Sequence, residues 1–190
     1  MSLLSKKAVV LLLTTVASLG ALNAQAATAT DSNTSSTQKV SMLDGKFTFT
    51  LPKGFTANTL PASPDGASGT MYTNEATKTV VIAAENNLPK DITVKDNDGA
   101  FLDGTAADFE AAQREALPDF NKLSEKSLTQ KATGLGLRQV DSTATQGGGM
   151  TLNTTLMAVS DNRMAVVQVI SRPGDMAAHE TLVKQIVTGK

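Results

Sequence analysis

The sequence predicts an α+β domain built from one antiparallel sheet of about six to seven strands with two helices covering it. Two kinds of segment predict this class. Short stretches in which apolar and polar residues alternate recur along the chain, and two longer stretches have the three- and four-residue spacing of amphipathic helices. Because most of the alternating stretches are consecutive and joined by tight turns, we expect them to pair in antiparallel fashion.

The first 26 residues have the parts of a cleavable secretory signal peptide in the expected order. These are a positive start at Lys6 and Lys7, an apolar run over residues 8–22, and small residues at the cleavage site, Ala24, Ala26 and Ala27. The apolar run is shorter than the roughly 20 residues that cross a bilayer. An uncleaved membrane anchor is the alternative. We expect cleavage after Ala26 and an exported protein without a stable membrane anchor.

Residues 27–38 are rich in Ala, Thr, Ser and Asn and lack apolar periodicity, so we predict a disordered spacer and a single domain over residues 39–190. Phe47 and Phe49 alternate with polar residues in a predicted strand over residues 46–51. After a loop over residues 57–68, strands over 69–73 and 78–84 form a predicted hairpin.

The first helix is predicted over residues 106–117, with Thr105 as its N-cap and Pro118 ending it. Its apolar stripe consists of Leu102, Ala106, Phe109, Ala112 and Ala116. The small alanines predict close packing on a sheet.

Four strands follow in a predicted antiparallel meander, over residues 122–129, 135–145, 150–160 and 163–171. The glycines at 147–149 join the second strand to the third, and Asp161-Asn162 joins the third to the fourth. Pro173-Gly174 ends the meander, Asp175 is a candidate cap, and a second helix has the apolar stripe Leu182, Val183, Ile186 and Val187.

The composition excludes several classes of function. Hydrophobic residues make up 41% of the chain and charged residues 18%, as in ordinary globular domains. With 17 basic and 18 acidic side chains and no basic cluster, the chain lacks the positive patch that nucleic-acid binding requires. The absence of Cys excludes disulfides, thiolate nucleophiles and Cys-ligated metals.

No pattern of residues indicates catalysis, a metal or another cofactor. His179 is the one histidine, and we place it on the opposite side of the second helix from Leu182 and Ile186, as a solvated surface residue. A site with several His ligands or a Cys–His pair cannot be assembled, and no Gly-x-Ser-x-Gly motif presents a serine. We therefore predict no enzyme, although an enzyme acting through Asp and Glu alone stays open.

Three further motifs are interpreted as structural. Asp96-Asn97-Asp98-Gly99 resembles part of a calcium loop, but residue 94 is Val and no closing Glu follows, so a turn is predicted. The glycines at 134, 136 and 147–149 are not followed by the Gly-Lys-Ser/Thr of a phosphate loop and are interpreted as hairpin turns or strand irregularities. Core filling is predicted for the dispersed methionines, Met42, Met71, Met150, Met157, Met164 and Met176.

The chain resembles the DcrB family of Gram-negative cell-envelope proteins, within the wider PsbP-like fold. The resemblance covers about residues 40–187. It is clearest in segments that belong to the predicted fold and not to a catalytic motif, namely 42–52, 73–82, 88–91, 137–142 and 181–187. It implies a three-layer α-β-α sandwich. Typical members have a lipobox Cys, whereas this chain has Ala26 at the junction.

The resemblance implies a function in the cell envelope, since members are accessory proteins linked to phage adsorption and membrane homeostasis. We expect a non-enzymatic, soluble periplasmic binding protein whose partner is an envelope protein or another envelope component. The alternative is a carrier of a small apolar ligand, held in a cleft between the helices and the sheet and lined by Met and Phe. The sequence does not identify the binding residues.

Overall fold

A computed structural model describes residues 36–62 and 66–189. In chain order the elements are β1 (Gln38–Met42), β2 (Phe47–Leu51), β3 (Thr56–Thr59), β4 (Ser68–Asn74), β5 (Thr79–Asn87), α1 (Gly99–Ala116), β6 (Asn121–Thr129), β7 (Gly136–Gln146), β8 (Gly149–Ser160), β9 (Arg163–Ser171) and α2 (Met176–Thr188). Seven strands form one antiparallel sheet in the order β3-β4-β5-β9-β8-β7-β6. The predicted α+β class is confirmed.

The meander from β6 to β9 forms as the sequence predicts. The β7–β8 hairpin closes through Gly147 and Gly148, whose positive φ angles of 56° and 80° suit glycine. In the β8–β9 turn Asp161 has a φ of 54°, a conformation that Asp adopts more readily than most residues. Because these turns are short, they fix the register of three long strands.

The strand β2 is present, but the prediction that it belongs to the main sheet is wrong. It pairs with β1 in a separate two-stranded sheet. Phe47, Phe49 and Leu51 are at most 1% exposed because the hairpin packs on the same side of the main sheet as α2. β1 begins at Gln38, inside the predicted spacer, and β3 lies in the predicted loop.

The first helix is longer than predicted. It begins after Asp98, whose carboxylate accepts a hydrogen bond from the Phe101 amide over 3.0 Å. Thr105 is therefore not the N-cap: it lies inside the helix, buried, and its hydroxyl donates to the Phe101 carbonyl over 3.0 Å. A capping side chain seven residues upstream extends the helix by two turns.

The sheet has one helix on each face, so the three-layer sandwich is confirmed. On one face α1 buries Leu102, Ala106 and Phe109 against β7, β8 and β9. On the other face α2 buries Leu182, Val183 and Ile186 together with the β1–β2 hairpin. The second face is thus covered by two side-by-side elements.

Candidate functional site

Part of the sheet on the α2 face is left uncovered. Seven strands about 4.8 Å apart span roughly 30 Å, whereas a helix with its side chains is about 10 Å wide. The helix α2 contacts β2, β9 and β8, which leaves the β7–β6 end exposed. The result is a groove of about 450 Å³ between α2 and strands β6, β7 and β8, which we call the β6 groove.

The walls of the β6 groove are mainly apolar. Its apolar lining consists of Leu123, Leu128, Leu152, Met176, Val183 and Val187. The described residues contain three large hydrophobic side chains that are highly exposed: Leu123 at 55%, Met176 at 54% and Met150 at 54%. Two of the three, Leu123 and Met176, lie in this groove, one on each wall. Clustered exposed apolar surface is typical of binding sites.

A carboxylate at the floor of the groove is held by hydrogen bonds. Asp141 on β7 accepts from Ser124 Oγ over 2.6 Å and from Lys126 Nζ over 3.1 Å. It also accepts from Gln139 Nε2 over 2.8 Å and from Thr154 Oγ1 over 2.8 Å. Burial raises the pKa of this carboxyl, but the hydrogen bonds from the four donors outweigh it and the pKa is lower than usual. Asp141 is therefore ionised at neutral pH.

His179 is buried, and the prediction of a solvated surface histidine is wrong. It is 7% exposed. The physical reason is its spacing: His179 lies three residues before Leu182 and seven before Ile186, which puts all three on one helical face. Its ring nitrogens bond to two strands, Nε2 to Thr154 Oγ1 over 2.9 Å and Nδ1 to Ser171 Oγ over 3.0 Å.

Hydrogen-bond donors and acceptors in this cluster can be assigned from the carboxylate outward. The ionised Asp141 only accepts, so the Thr154 hydroxyl donates its single proton to Asp141 Oδ1. Thr154 Oγ1 then accepts from His179 Nε2–H, and a neutral imidazole leaves Nδ1 to accept from the Ser171 hydroxyl. We call Asp141, Thr154, His179 and Ser171 the His179 hydrogen-bond chain.

The imidazole is held in its neutral form. Burial lowers the pKa of His179, and the carboxylates of Asp141 and Glu180 raise it by less. The positive end of the α2 backbone dipole also disfavours a cation at this position, the fourth residue of the helix.

A second groove lies on the opposite side of α2. It has a volume of about 350 Å³ and lies between α2 and the segment that follows β2, residues 52–55. Pro52, Phe55, Ala178 and Leu182 are among its apolar lining. We call it the Phe55 groove. Among the described residues, His179 alone lines both grooves. The histidine thus connects the two sides of the helix.

The structure tests several of the residues singled out by the sequence. The cleavage-site residues Ala24, Ala26 and Ala27 lie outside the described residues. The predicted turn is present at residues 95–98, where the Asp98 amide donates to the Lys95 carbonyl over 3.1 Å. The Asp98 side chain caps α1, and Asp96 accepts from Lys46 Nζ over 3.0 Å and from Ser160 Oγ over 2.7 Å.

The predicted composition of the cleft is wrong in part. The β6 groove lies between a helix and the sheet, but its apolar lining is Leu and Val with one Met and no Phe. Core filling holds for Met42, Met157 and Met164, which are buried, and not for Met150 or Met176, which are exposed.

The sequence interpretation missed Asp141, Thr154 and Ser171. A signal for the first two was available: a two-residue turn at Gly147-Gly148 places Gln146 opposite Gly149, and counting back five residues on one strand and forward five on the other places Asp141 opposite Thr154. A carboxylate and a hydroxyl opposite each other on one face predict a hydrogen-bonded pair.

No group of three or more potential metal-ligating side chains occurs in residues 36–62 and 66–189. Across the same two ranges, neither helix combines the length and the apolar character needed to cross a lipid bilayer.

Comparison with solved structures gives a match over most of the chain. The solution structure of cyanobacterial PsbP (CyanoP) from Synechocystis sp. PCC 6803 superposes with a TM-score of 0.57, covering 86% of this chain and 96% of that one at 9% identity. The fold is PsbP-like. A Pseudomonas aeruginosa protein of unknown function has a TM-score of 0.45 at 15% identity, covering 81% of this chain and 95% of that one. No protein-family model and no curated protein sequence matches the chain.

At 9% identity the likeness to CyanoP concerns the fold and not the function. The candidate site of this PsbP-like chain is the apolar β6 groove with its exposed side chains Leu123 and Met176. The buried His179 hydrogen-bond chain lies behind the groove.

Proposed function

We propose that this protein is a soluble, non-enzymatic accessory protein of the bacterial cell envelope, related to the DcrB family, that binds another envelope component in the β6 groove. The observation that carries the proposal is the pairing of an apolar groove with exposed apolar side chains on both of its walls, Leu123 and Met176. Exposed apolar surface of this kind is stabilised when a partner covers it.

The hydrogen bonding of the groove supports binding rather than catalysis. A general acid or base needs a pKa near the working pH and a free site for a proton. Asp141 has a lowered pKa and accepts from four donors, so its carboxylate is already occupied. Ser171 is 3% exposed, which keeps its hydroxyl from a substrate.

Photo-crosslinking in living cells tests the proposed surface. A benzophenone amino acid replaces Leu123 or Met176 in the groove, and Met150 outside it serves as the control because its exposure of 54% equals that of Met176. We expect the same crosslinked species from positions 123 and 176 and none of it from position 150. Equal capture at all three positions, or none at 123 and 176, would contradict the proposal.

The location of the protein is a separate part of the proposal. The signal-peptide pattern at residues 1–26 and the resemblance to envelope proteins support export to the periplasm. N-terminal sequencing of the protein from the periplasmic fraction should begin at Ala27. Recovery of the uncleaved chain in the membrane fraction would overturn this part.

A second candidate is a carrier of a small apolar ligand. The volume of the β6 groove, about 450 Å³, lies within the range of small-molecule sites, and its lining is mainly apolar. Native mass spectrometry of the protein purified from its own compartment should then show an adduct. The adduct should be lost in a Leu128→Asp variant and kept in a Met150→Asp variant, and a bare polypeptide mass in the unmodified protein would count against a carrier.

A further inference from the structure

The first half of α2 depends on one buried side chain. Among residues 176–181, His179 is buried and the other five side chains are exposed. Asp175 precedes the helix but makes no capping hydrogen bond through its side chain. The second half is different, since Val183 and Ile186 are buried in the core. Docking of the first half therefore relies on the imidazole and its bonds to Thr154 and Ser171.

A second proton on His179 disrupts this arrangement. The imidazolium donates at both nitrogens, so the Ser171 hydroxyl has to turn away and become the acceptor. The Thr154 hydroxyl lies between the ring and Asp141, so the nearest carboxylate does not contact the new charge directly. The cation would be buried near the positive end of the helix dipole, which is unfavourable.

The other charged groups around the ring do not remove this cost. Glu180 and Lys184 lie on α2 itself and line the same groove with opposite charges. Lys126 on β6 is engaged with Asp141 over 3.1 Å, and Asp175 lies on the exposed surface at the start of the helix. In the Phe55 groove, the lining residues from the segment after β2 and from β4 and β5 are uncharged.

We infer that protonation of His179 releases the first half of α2 from the sheet and thereby weakens binding in the β6 groove. The effect on binding rests on the proposed function. The released segment supplies Met176, His179 and Glu180 to the groove, so its movement removes part of one wall. The Phe55 groove changes at the same time because His179 lines both.

The direction of the pH effect follows from linkage. The docked state holds the imidazole neutral, whereas in the released state the ring is in water with a pKa near 6.5. A falling pH therefore favours release. Between the pKa of the docked state and that of the released state, the equilibrium constant for release should increase about tenfold for each unit by which the pH falls.

The single histidine makes this step directly observable. The imidazole carbon–proton NMR signal reports on His179 alone, because the chain has one His. Hydrogen exchange of amides 179–182, which are the first in α2 with intrahelical acceptors, is measured from about pH 7.5 to about pH 5 and corrected for the intrinsic pH dependence, with amides 184–188 as an internal control. We expect exchange of the first set to accelerate as the His179 signal titrates, with little change in the second set.

Two variants decide the assignment. His179→Gln keeps an amide donor for Thr154 but cannot take up a proton, so its exchange should show no pH step. Ser171→Ala keeps the imidazole and removes the donor to Nδ1, so the step should move to higher pH. The inference is overturned if His179→Gln retains the step, or if His179 titrates in the unmodified protein without faster exchange at amides 179–182.

Binding is measured with 1-anilinonaphthalene-8-sulfonate, an anionic apolar dye, and assigned to the groove by its loss in a Leu123→Glu variant. We expect the dissociation constant to rise at about pH 5 in the unmodified protein and to stay constant in His179→Gln. A pH-independent dissociation constant in the unmodified protein contradicts the inferred weakening of binding. Failure of the dye to bind at either pH contradicts the proposed function, while the exchange experiment still decides whether α2 is released.

Discussion

Thr154 on β8 lies directly opposite Asp141 on β7, and its hydroxyl donates to Asp141 Oδ1 over 2.8 Å. This pair connects the polar floor of the β6 groove to the buried imidazole of His179 on α2. The carboxylate fixes the donor and acceptor roles of Thr154, His179 and Ser171. A substitution at Asp141 should therefore alter the hydrogen bonds that hold His179 of α2 to the sheet.

Replacing Asp141 by Asn should lower the free energy of unfolding by about 1–3 kcal/mol, since it leaves two buried donors, Gln139 and Thr154, facing an amide in place of an ionised acceptor. Chemical denaturation near pH 7 measures the loss. Asp108→Asn, on the exposed face of α1, is the matched control and should change stability by less than about 0.5 kcal/mol. Equal losses in the two variants would show that the hydrogen bonds of Asp141 contribute nothing particular.

Acid should remove the contribution of Asp141 in a defined direction. The pKa of Asp141 is lowered on folding, so its stabilisation is present above its unfolded-state value of 3.8 and is lost as the pH falls through the folded value. The unfolding midpoint of the unmodified protein should therefore fall more steeply in this range than that of Asp141→Asn. Parallel curves for the two proteins would contradict the prediction.

His179 should give the global stability a second pH dependence, at higher pH. Its pKa is lowered on folding, so the neutral ring stabilises the fold fully above about pH 6.5, and this contribution decreases as the pH falls through the folded value. Urea denaturation at about pH 7.5 and about pH 5.5 should show a smaller difference in His179→Gln than in the unmodified protein. The same difference in both would assign the pH dependence to other groups.

The helix α1 is fixed to the sheet mainly by aromatic and aliphatic packing. Phe109 is 2% exposed, and its ring meets that of Phe120 edge-on with centroids 6.5 Å apart. Phe109→Ala should lower the free energy of unfolding by about 3–5 kcal/mol, because it leaves a cavity in the α1 layer. The control is Ala111→Gly on the exposed side of the same helix, which should cost about 1 kcal/mol through helix propensity alone.

The meander was predictable because local signals agree there. Alternating apolar residues, the glycines at 147–149 and Asp161-Asn162 together determine strands, turns and register. The strand β3 was missed because it has four residues, Thr-Ala-Asn-Thr, and three of them are exposed. The length of α1 was missed because Thr105 resembles an N-cap and Gly99 and Gly104 weaken the helical pattern ahead of it.

The candidate site was less predictable for a different reason. Its residues come from β6, β7, β8, β9 and α2, and no local pattern connects Asp141 to His179, 38 residues later. The groove exists because the α2 face is wider than the elements that cover it, which is a tertiary property. What the sequence did contain was the spacing of His179 with Leu182 and Ile186, a pattern that correctly indicates burial.

Two glycines should respond to alanine in opposite directions. Gly104 lies within α1, and a Cβ there would have no heavy atom within 4 Å, so Gly104→Ala should stabilise the protein by about 0.5–1 kcal/mol by reducing the entropy of the unfolded chain. At Gly136, a Cβ would lie 2.9 Å from the Asn97 Cα and 3.2 Å from the Asp96 carbonyl oxygen. The Gly136 amide donates to that same carbonyl over 2.7 Å, so the two backbones cannot separate without losing a hydrogen bond. Gly136→Ala should therefore destabilise the fold, and thermal unfolding of the two variants measured side by side should show shifts of opposite sign. A stabilised Gly136→Ala would mean that the segment before α1 does not pack against β7 in this way.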